Sequence, residues 1–465
     1  MGLKLDKRII VVCLIVSWLS IVNAEADDDM DMDMGEKVEF HPVNPGSKTF
    51  HWILSLFLLL IIPSISATLA LANKLSWSLL LTIISTGYSV FETLFLQFPD
   101  NVDNHENITS RNSSWILSIL LGSCLFLGTV INGSNLVINR FYPHIKLNEY
   151  GISYKIFKVL SFIIVIVGWV RVCMAPVALF GFCYGRHTGQ CIAHGIMGSA
   201  FILYSFVLSL VLLIPWIRKH QLYPNAERSS FKSQEFWDSI VMCTWGIVNT
   251  FTEHRWGREA WSMGDYQHTS MGIIWWAGGL LGIFLARKNN RTFIPSLLLI
   301  FTGYSMSQHA QHLEISTKVH SVFGLALMGA GAFRIVEISF LLKDKACATD
   351  GKILSFQYFP PFCLTLSGIL FMSATEEQLI LVHDLGADHS AYILVVSSAA
   401  FMIYLWIISL ITLYLRLVGY DEDGELGFNS RSNEYVNVRD AEEFELGSLS
   451  DEENPTPDEV PPHQD

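Results

Sequence analysis

Imidazoles, carboxylates and indoles crowd one stretch near the middle of the chain. It reads Glu253-His254-Arg255-Trp256-Gly257-Arg258-Glu259, then Trp261, Asp265, Tyr266 and His268. Histidines recur further on. His309 and His312 are three apart, which puts them on one face of a helix, and Glu314, Lys318 and His320 follow them. A third group holds Glu376, Glu377, His383, Asp384, Asp388 and His389. Neutral imidazole and carboxylate are ligands for zinc, copper, iron or nickel, and helical bundles build such sites from side chains on facing helices. The candidate metal ligands are therefore His254, Asp265, His268, His309, His312, His320, His383 and His389. His254, His268, His309, His312 and His320 are expected to converge, with Glu253 and Asp265 alongside. The competing reading is a hydrogen-bonded polar cap that finishes helix ends at a wet interface.

The elements that must position these groups are long apolar runs. The chain has 465 residues, 51% of them hydrophobic and 16% charged, with a mean hydropathy of +0.38. That balance excludes an ordinary soluble domain. Eleven apolar segments lie near 51–73, 75–97, 115–138, 156–179, 192–215, 236–252, 269–286, 292–312, 317–342, 353–373 and 390–416. Most approach the roughly 20 residues that cross a bilayer. The expected fold is all-α, a polytopic helical membrane protein of eleven transmembrane helices.

At the start, Lys4, Lys7 and Arg8 precede an apolar core from Ile9 to Ile21 and a small residue, Ala24. This is the pattern of a cleaved signal peptide over 1–24. The expected organisation continues with an acidic lumenal segment over 25–50 and an N-terminal membrane half of five helices over 51–215. A cytosolic linker over 216–235 and a C-terminal half of six helices over 236–418 follow. A disordered acidic tail over 419–465 completes the chain. Met30, Met32 and Met34 alternate with aspartates in the acidic segment, and thioethers suit Cu(I).

Two signals orient the chain. The sequons at Asn107 and Asn112 follow the second segment, and such acceptors work on the lumenal side. With that loop lumenal, fifteen Lys and Arg residues fall in cytosolic loops against seven in lumenal ones, the positive-inside asymmetry. Twelve of the fifteen histidines then lie on the lumenal side. Cys183 and Cys191 flank one short lumenal loop, where a disulfide is chemically permitted.

Charges inside the apolar segments call for partners. Arg334 and Glu337 are three apart and pair within one helix, Asp238 lies at the same level, and Glu92 and Arg171 both lie toward lumenal helix ends. The tryptophans Trp256, Trp261, Trp275 and Trp276 fit an interfacial belt. Phosphate loops, dinucleotide fingerprints and nucleophile motifs are absent from the sequence, and nothing in it points to nucleic acid. The expected partners are the lipid bilayer, a metal ion and, for the cytosolic tail, sorting or regulatory proteins.

The central residues resemble a fungal family of yeast transmembrane proteins with no settled activity. The likeness rests on Glu253 to Gly257, Trp261-Ser262, Asp265 to Thr269, Met271 to Trp276 and the Gly278-Gly279 pair. It covers most of the chain up to the tail, including a histidine, His51, at the start of the first segment. A distant likeness of that family to ascorbate-reducible b-type cytochromes implies a single b-type haem as the alternative to a metal ion (Zn, Cu or Fe). The function expected is metal or redox handling at the lumenal face of the secretory pathway: plasma membrane, vacuole, Golgi or endoplasmic reticulum. Two alternatives stand beside it. One is a proton- or metal-coupled transporter gated by the same cluster, and the other is a scaffold whose polar cap is structural.

From Asp421 onward the tail holds fifteen acidic residues against Arg431 and Arg439, too much charge to bury a core. Truncation after Gly419 is therefore expected to leave expression and membrane insertion intact. Loss of the membrane-inserted protein in fractionated cells would contradict this.

Overall fold

Proline and glycine decide where the helices bend and how closely they approach. The computed structural model describes residues 45–95, 105–141, 151–174, 180, 182–183, 188–215, 217, 232–252, 254, 260–261, 263–288, 290–308, 313–343 and 353–420. Each of the eleven apolar segments has a helix over most of its described residues. These are α1 (Gly46–Leu71), α2 (Leu75–Phe95), α3 (His105–Phe141), α4 (Ile152–Cys173), α5 (Thr188–Leu213), α6 (Gln234–Thr252), α7 (Met263–Ala286), α8 (Ile294–Ser307), α9 (Glu314–Leu341), α10 (Ser355–Met372) and α12 (His389–Val418). A short helix that the hydropathy pattern does not reveal, α11 (Glu376–Asp384), follows α10 at a 77° bend. Among the described residues, eight helices are long and apolar enough to cross a membrane, or nine if α10 and α11 form one broken span. The other two are α8, which has 14 residues, and α6, which carries Glu235 and Asp238 near its start. Helix α3 has 37 residues, about 55 Å at 1.5 Å per residue. It outruns the hydrocarbon core, and Asn107 and Asn112 lie on its first turns.

In α1, Pro63 has no N–H to offer the Leu59 carbonyl. The helix absorbs the defect as a π segment over Phe57–Ile61, where the N–H of Ile62 reaches back to Phe57 O. Gly168 of α4 lies so close to the Leu59 carbonyl that a Cβ at 168 would collide with it. A backbone irregularity is thus turned into a helix contact. Helix α9 ends in a second π segment, Glu337–Leu341, with the N–H of Leu342 donating to Glu337 O at 2.9 Å. At the α10–α11 break, Tyr392 of α12 donates its hydroxyl to the Ser373 carbonyl at 2.6 Å, so a carbonyl at the break has a partner.

Two large apolar cores result, with a small third one of Ile202, Ile214, Ile407 and Ile411 between α5 and α12. Leu59, Leu79, Leu117, Leu121, Phe157 and Ile164 join α1 to α4. A larger core joins α5 to α12 through Phe201, Leu298, Val319, Phe323, Leu327, Leu364, Leu370 and Phe371. Helix α5 packs chiefly on α10, so it shares the core of the helices that follow it. Bare backbone mediates three pairs in this half: Gly198 on Gly368, Gly246 on Gly272 and Gly303 on Gly324. Small residues at crossings let helices without a hydrophobic driving force come into full contact. Hydroxyls add to them, as with Thr365 to Ser205 at 2.8 Å and Ser89 with Ser118 at 2.7 Å.

A Cβ at Gly324 would meet the Gly303 carbonyl and the Ser307 backbone, whereas one at Gly122 meets nothing within 4 Å. Gly324→Val is therefore expected to destabilise the protein by at least the roughly 1–3 kcal/mol of an overpacked core. Gly122→Ala should be neutral or mildly stabilising. Thermal unfolding in detergent reads the difference, and equal melting of the two variants would contradict the packing.

Candidate functional site

Buried ionisable groups collect at both ends of the bundle. At one end α1, α2 and α4 bring together His51, Glu92 and Arg171. The His51 Nε2–H donates to Glu92 Oε1 at 3.0 Å, and Arg171 donates to the same oxygen. Tyr88 O–H meets His51 Nδ1 at 2.9 Å. A carboxylate only accepts, so Nε2 carries the proton and Nδ1 accepts from Tyr88 in the neutral ring. Both nitrogens of His51 are thus engaged, and Arg171 balances the Glu92 charge.

At the opposite end, the start of α6 and the end of α9 meet. Arg334 donates to Glu337 at 2.6 Å, to Gln234 at 3.1 Å and to Glu235 at 3.2 Å. Arg291 donates to Glu235 at 2.5 Å, and Gln357 to Glu337 at 3.0 Å. Asp238 accepts from Tyr204 at 2.8 Å and from Gln234 at 3.4 Å. The Arg334–Glu337 pair expected from their spacing is present, and Asp238 joins it through Gln234. Charges buried this deeply persist because each is paired and hydrogen-bonded.

The histidines of the central stretch and its neighbours fall into separate contacts. His254 is 2% exposed and lies flat on Trp261, with ring centroids 4.0 Å apart. Its Nδ1–H points to Asp265 Oδ2 at 3.3 Å. His320 of α9 instead meets His194 of α5, with centroids 6.2 Å apart and planes at 86°. His268 of α7 lies near enough to act electrostatically on His194. His383 and His389 pair with the adjacent Asp384 and Asp388 at 3.3 and 3.1 Å, with their side chains exposed. His309, His312 and Glu253 lie outside the described residues. Among the described residues no three His, Cys, Asp or Glu side chains stand close enough to hold a metal ion together. Of the five histidines expected to converge, His254 is held by an indole and an aspartate, and His320 faces His194, a residue that was not in the expected set.

His194 is the residue that sequence reasoning missed. It begins the fifth segment at the level of the other histidines, so depth alone could have flagged it. Its Nδ1 lies 2.8 Å from the Gln190 carbonyl, and His320 Nδ1 lies 2.9 Å from the Ser316 carbonyl. A carbonyl only accepts, so both rings carry the proton on Nδ1 and the lone pair on Nε2. This is the tautomer and backbone tether that metal-ligating histidines use. His194 is 9% exposed, its Nε2 is buried without a hydrogen-bond partner, and Phe371 stacks on its face at 4.4 Å. Beside it, Cys183 and Cys191 are paired with Cα atoms 5.5 Å apart. The Cys183 N–H donates to Glu377 of α11 at 2.6 Å, which ties the loop before α5 to the broken helix.

Known proteins are similar to this chain over much of its length. The family described as "Protein YTP1-like, C-terminal" matches residues 167–415. "Protein YTP1" of Saccharomyces cerevisiae is 51% identical over 452 residues, covering 96% of this chain and 95% of that protein. An uncharacterized membrane protein of Saccharomyces cerevisiae is 28% identical over 173 residues, 32% of this chain and 27% of its own. One of Schizosaccharomyces pombe is 24% identical over 258 residues, 47% of this chain and 50% of its own. No solved structure matches.

The charge network generates a sharp expectation. Arg334→Leu strips a guanidinium from Glu337 and Glu235 and should cost about 3–5 kcal/mol, the penalty for a buried charge left alone. Arg334→Leu with Glu337→Leu removes the pair and should recover much of that loss. Thermal melts of the purified variants compare them. A double variant no more stable than the single one would contradict the pairing.

Proposed function

The chain belongs to the YTP1-like family of multi-pass fungal membrane proteins, and on that premise we propose that it handles a transition-metal ion at a buried imidazole site. The observation that carries this reading is the His194–His320 pair, with both Nδ1 atoms tethered to backbone and the His194 Nε2 left without a partner. An unused, buried, basic nitrogen is costly unless something binds it. His268 acts electrostatically on His194, and His309 and His312, outside the described residues, are close in sequence to His320. The positive-inside asymmetry and the sequons at Asn107 and Asn112 support placing this end in the lumen of the secretory pathway, with a cleaved signal before it and the acidic tail in the cytosol. The paired Cys183 and Cys191 suit the same oxidising side.

A haem in place of the ion is the reading that the cytochrome likeness implies. Electron transfer across the bilayer would ask for ligands at both ends, and the described residues of the opposite end offer guanidinium, carboxylate and amide groups instead. A transporter reading has its own support in the broken α10–α11 pair and the two π segments, since discontinuous helices line transport sites.

The test is elemental analysis of the purified full-length protein after exposure to a panel of transition metals and desalting, with absorbance spectra of oxidised and reduced samples. Bound metal that falls in the His194→Ala/His320→Ala protein is the expected result. Metal retained in full by that variant, or a haem spectrum that survives it, would contradict the assignment.

A further inference from the structure

We propose that the His194–His320 pair takes a monovalent, low-coordinate d10 cation of the copper(I) class rather than a divalent ion. The inference rests on the metal-handling reading above and names its substrate class. Three observations lead to it.

The first is ligand number. Among the described residues no third His, Cys, Asp or Glu joins the pair closely enough to complete a metal-binding group. Zinc almost always takes four ligands in a structural site and keeps three protein ligands in a catalytic one. Two imidazoles are a sufficient set for an ion that accepts linear coordination.

The second is spacing. A metal bound to an imidazole sits about 2 Å from the nitrogen, hence roughly 3 Å from the ring centre. Two rings that share an ion in a line then have centroids about 6 Å apart, whereas a tetrahedral angle draws them to about 5 Å. The observed separation is 6.2 Å. Both rings are held by their Nδ1 tethers to Gln190 and Ser316, so the spacing belongs to the helices as well as to the rotamers.

The third is charge. Neither imidazole is anionic, and the walls are aromatic. Phe371 stacks on His194, and Phe323 lies 4.8 Å from Phe371 and 6.1 Å from Phe201. The cost of burying an ion rises with the square of its charge, so a divalent ion with no carboxylate or thiolate beside it pays about four times the penalty of a monovalent one. A third neutral imidazole from His268 would leave that argument unchanged. The methionines at 30, 32 and 34 lie outside the described residues. Their thioethers are nonetheless soft ligands of the kind that select Cu(I).

The experiment uses the full chain in detergent, in a Met30→Ser/Met32→Ser/Met34→Ser background so that the leader does not mask the site. Silver(I), a redox-stable d10 ion, and copper(I) held reduced by ascorbate under nitrogen are titrated in parallel with zinc(II) and cobalt(II). The expected result is binding of silver(I) and copper(I) that is lost in His194→Gln and in His320→Gln, with zinc(II) and cobalt(II) binding unchanged by either substitution. Glutamine keeps a polar side chain at each position, and thermal melts of both variants confirm that they are folded. The copper absorption edge of the loaded protein should show two or three nitrogen ligands. Zinc(II) or cobalt(II) binding that depends on the two histidines, without silver(I) or copper(I) binding, would overturn the copper(I) assignment and leave the metal-handling reading standing. So would a four-coordinate copper edge. Binding of every ion at unchanged levels in folded His194→Gln and His320→Gln would overturn both.

Discussion

Three helix pairs in the C-terminal half approach so closely that a single methyl group at the crossing would strike backbone. Gly198 and Gly368 each face the other's carbonyl, Gly303 and Gly324 do the same, and Gly246 abuts the backbone of α7 at Gly272 and Trp276. In a bilayer, apolar area gives helices no preference for one another over lipid, so close packing and hydrogen bonds must supply it. These crossings fix the rotation of α5 against α10 and of α8 against α9. Because α9 also packs on α10, the chain of contacts runs from α5 through α10 to α9. His194 and His320 ride on the two ends of that chain, and their ring spacing follows from it.

Electrostatics then sorts the polar groups by what each has for a partner. His51 shares Glu92 with Arg171 and uses its second nitrogen on Tyr88, so its role is closed within α1, α2 and α4. Glu235, Arg291, Arg334 and Glu337 balance one another's charges at the opposite end. His194 differs because one of its nitrogens is used on its own helix and the other on nothing described. The contrast between the two kinds of histidine depends on which ring nitrogen meets an obligate acceptor, and it survives any argument about which end of the bundle faces the lumen.

Much of the architecture was legible in the sequence because hydropathy reports membrane depth directly. Each of the eleven apolar segments has a helix over most of its described residues. Arg334 and Glu337 were readable from their spacing, since three residues apart is a contact on any helix. Glu92 and Arg171 were readable only as a shared level. The histidine site was legible to the same extent and no further: depth put His254, His268, His320 and His194 at one end, but depth says nothing of azimuth. His254 turns to Trp261 and Asp265, while His320 turns to His194 across a helix 126 positions away in sequence. Helix α11 escaped notice because its nine residues, Glu376 to Asp384, carry three acids and only a four-residue apolar run. The π segments escaped because only Pro63 marks the first of them, and nothing local marks the second.

Everything said of the site requires that α5 and α9 present positions 194 and 320 to each other inside the native membrane. Proximity cross-linking measures this directly. Cysteines at 194 and 320, in a chain whose other unpaired cysteines are serine, are treated in isolated membranes with a short bis-thiol reagent, and a loop between α5 and α9 is then cleaved. A cysteine pair at 205 and 365, where hydroxyls stand 2.8 Å apart, serves as the positive reference with cleavage in the same loop. The account predicts that the 194–320 bridge holds the two fragments together as efficiently as the reference does. Fragments that separate while the reference pair stays joined would contradict it.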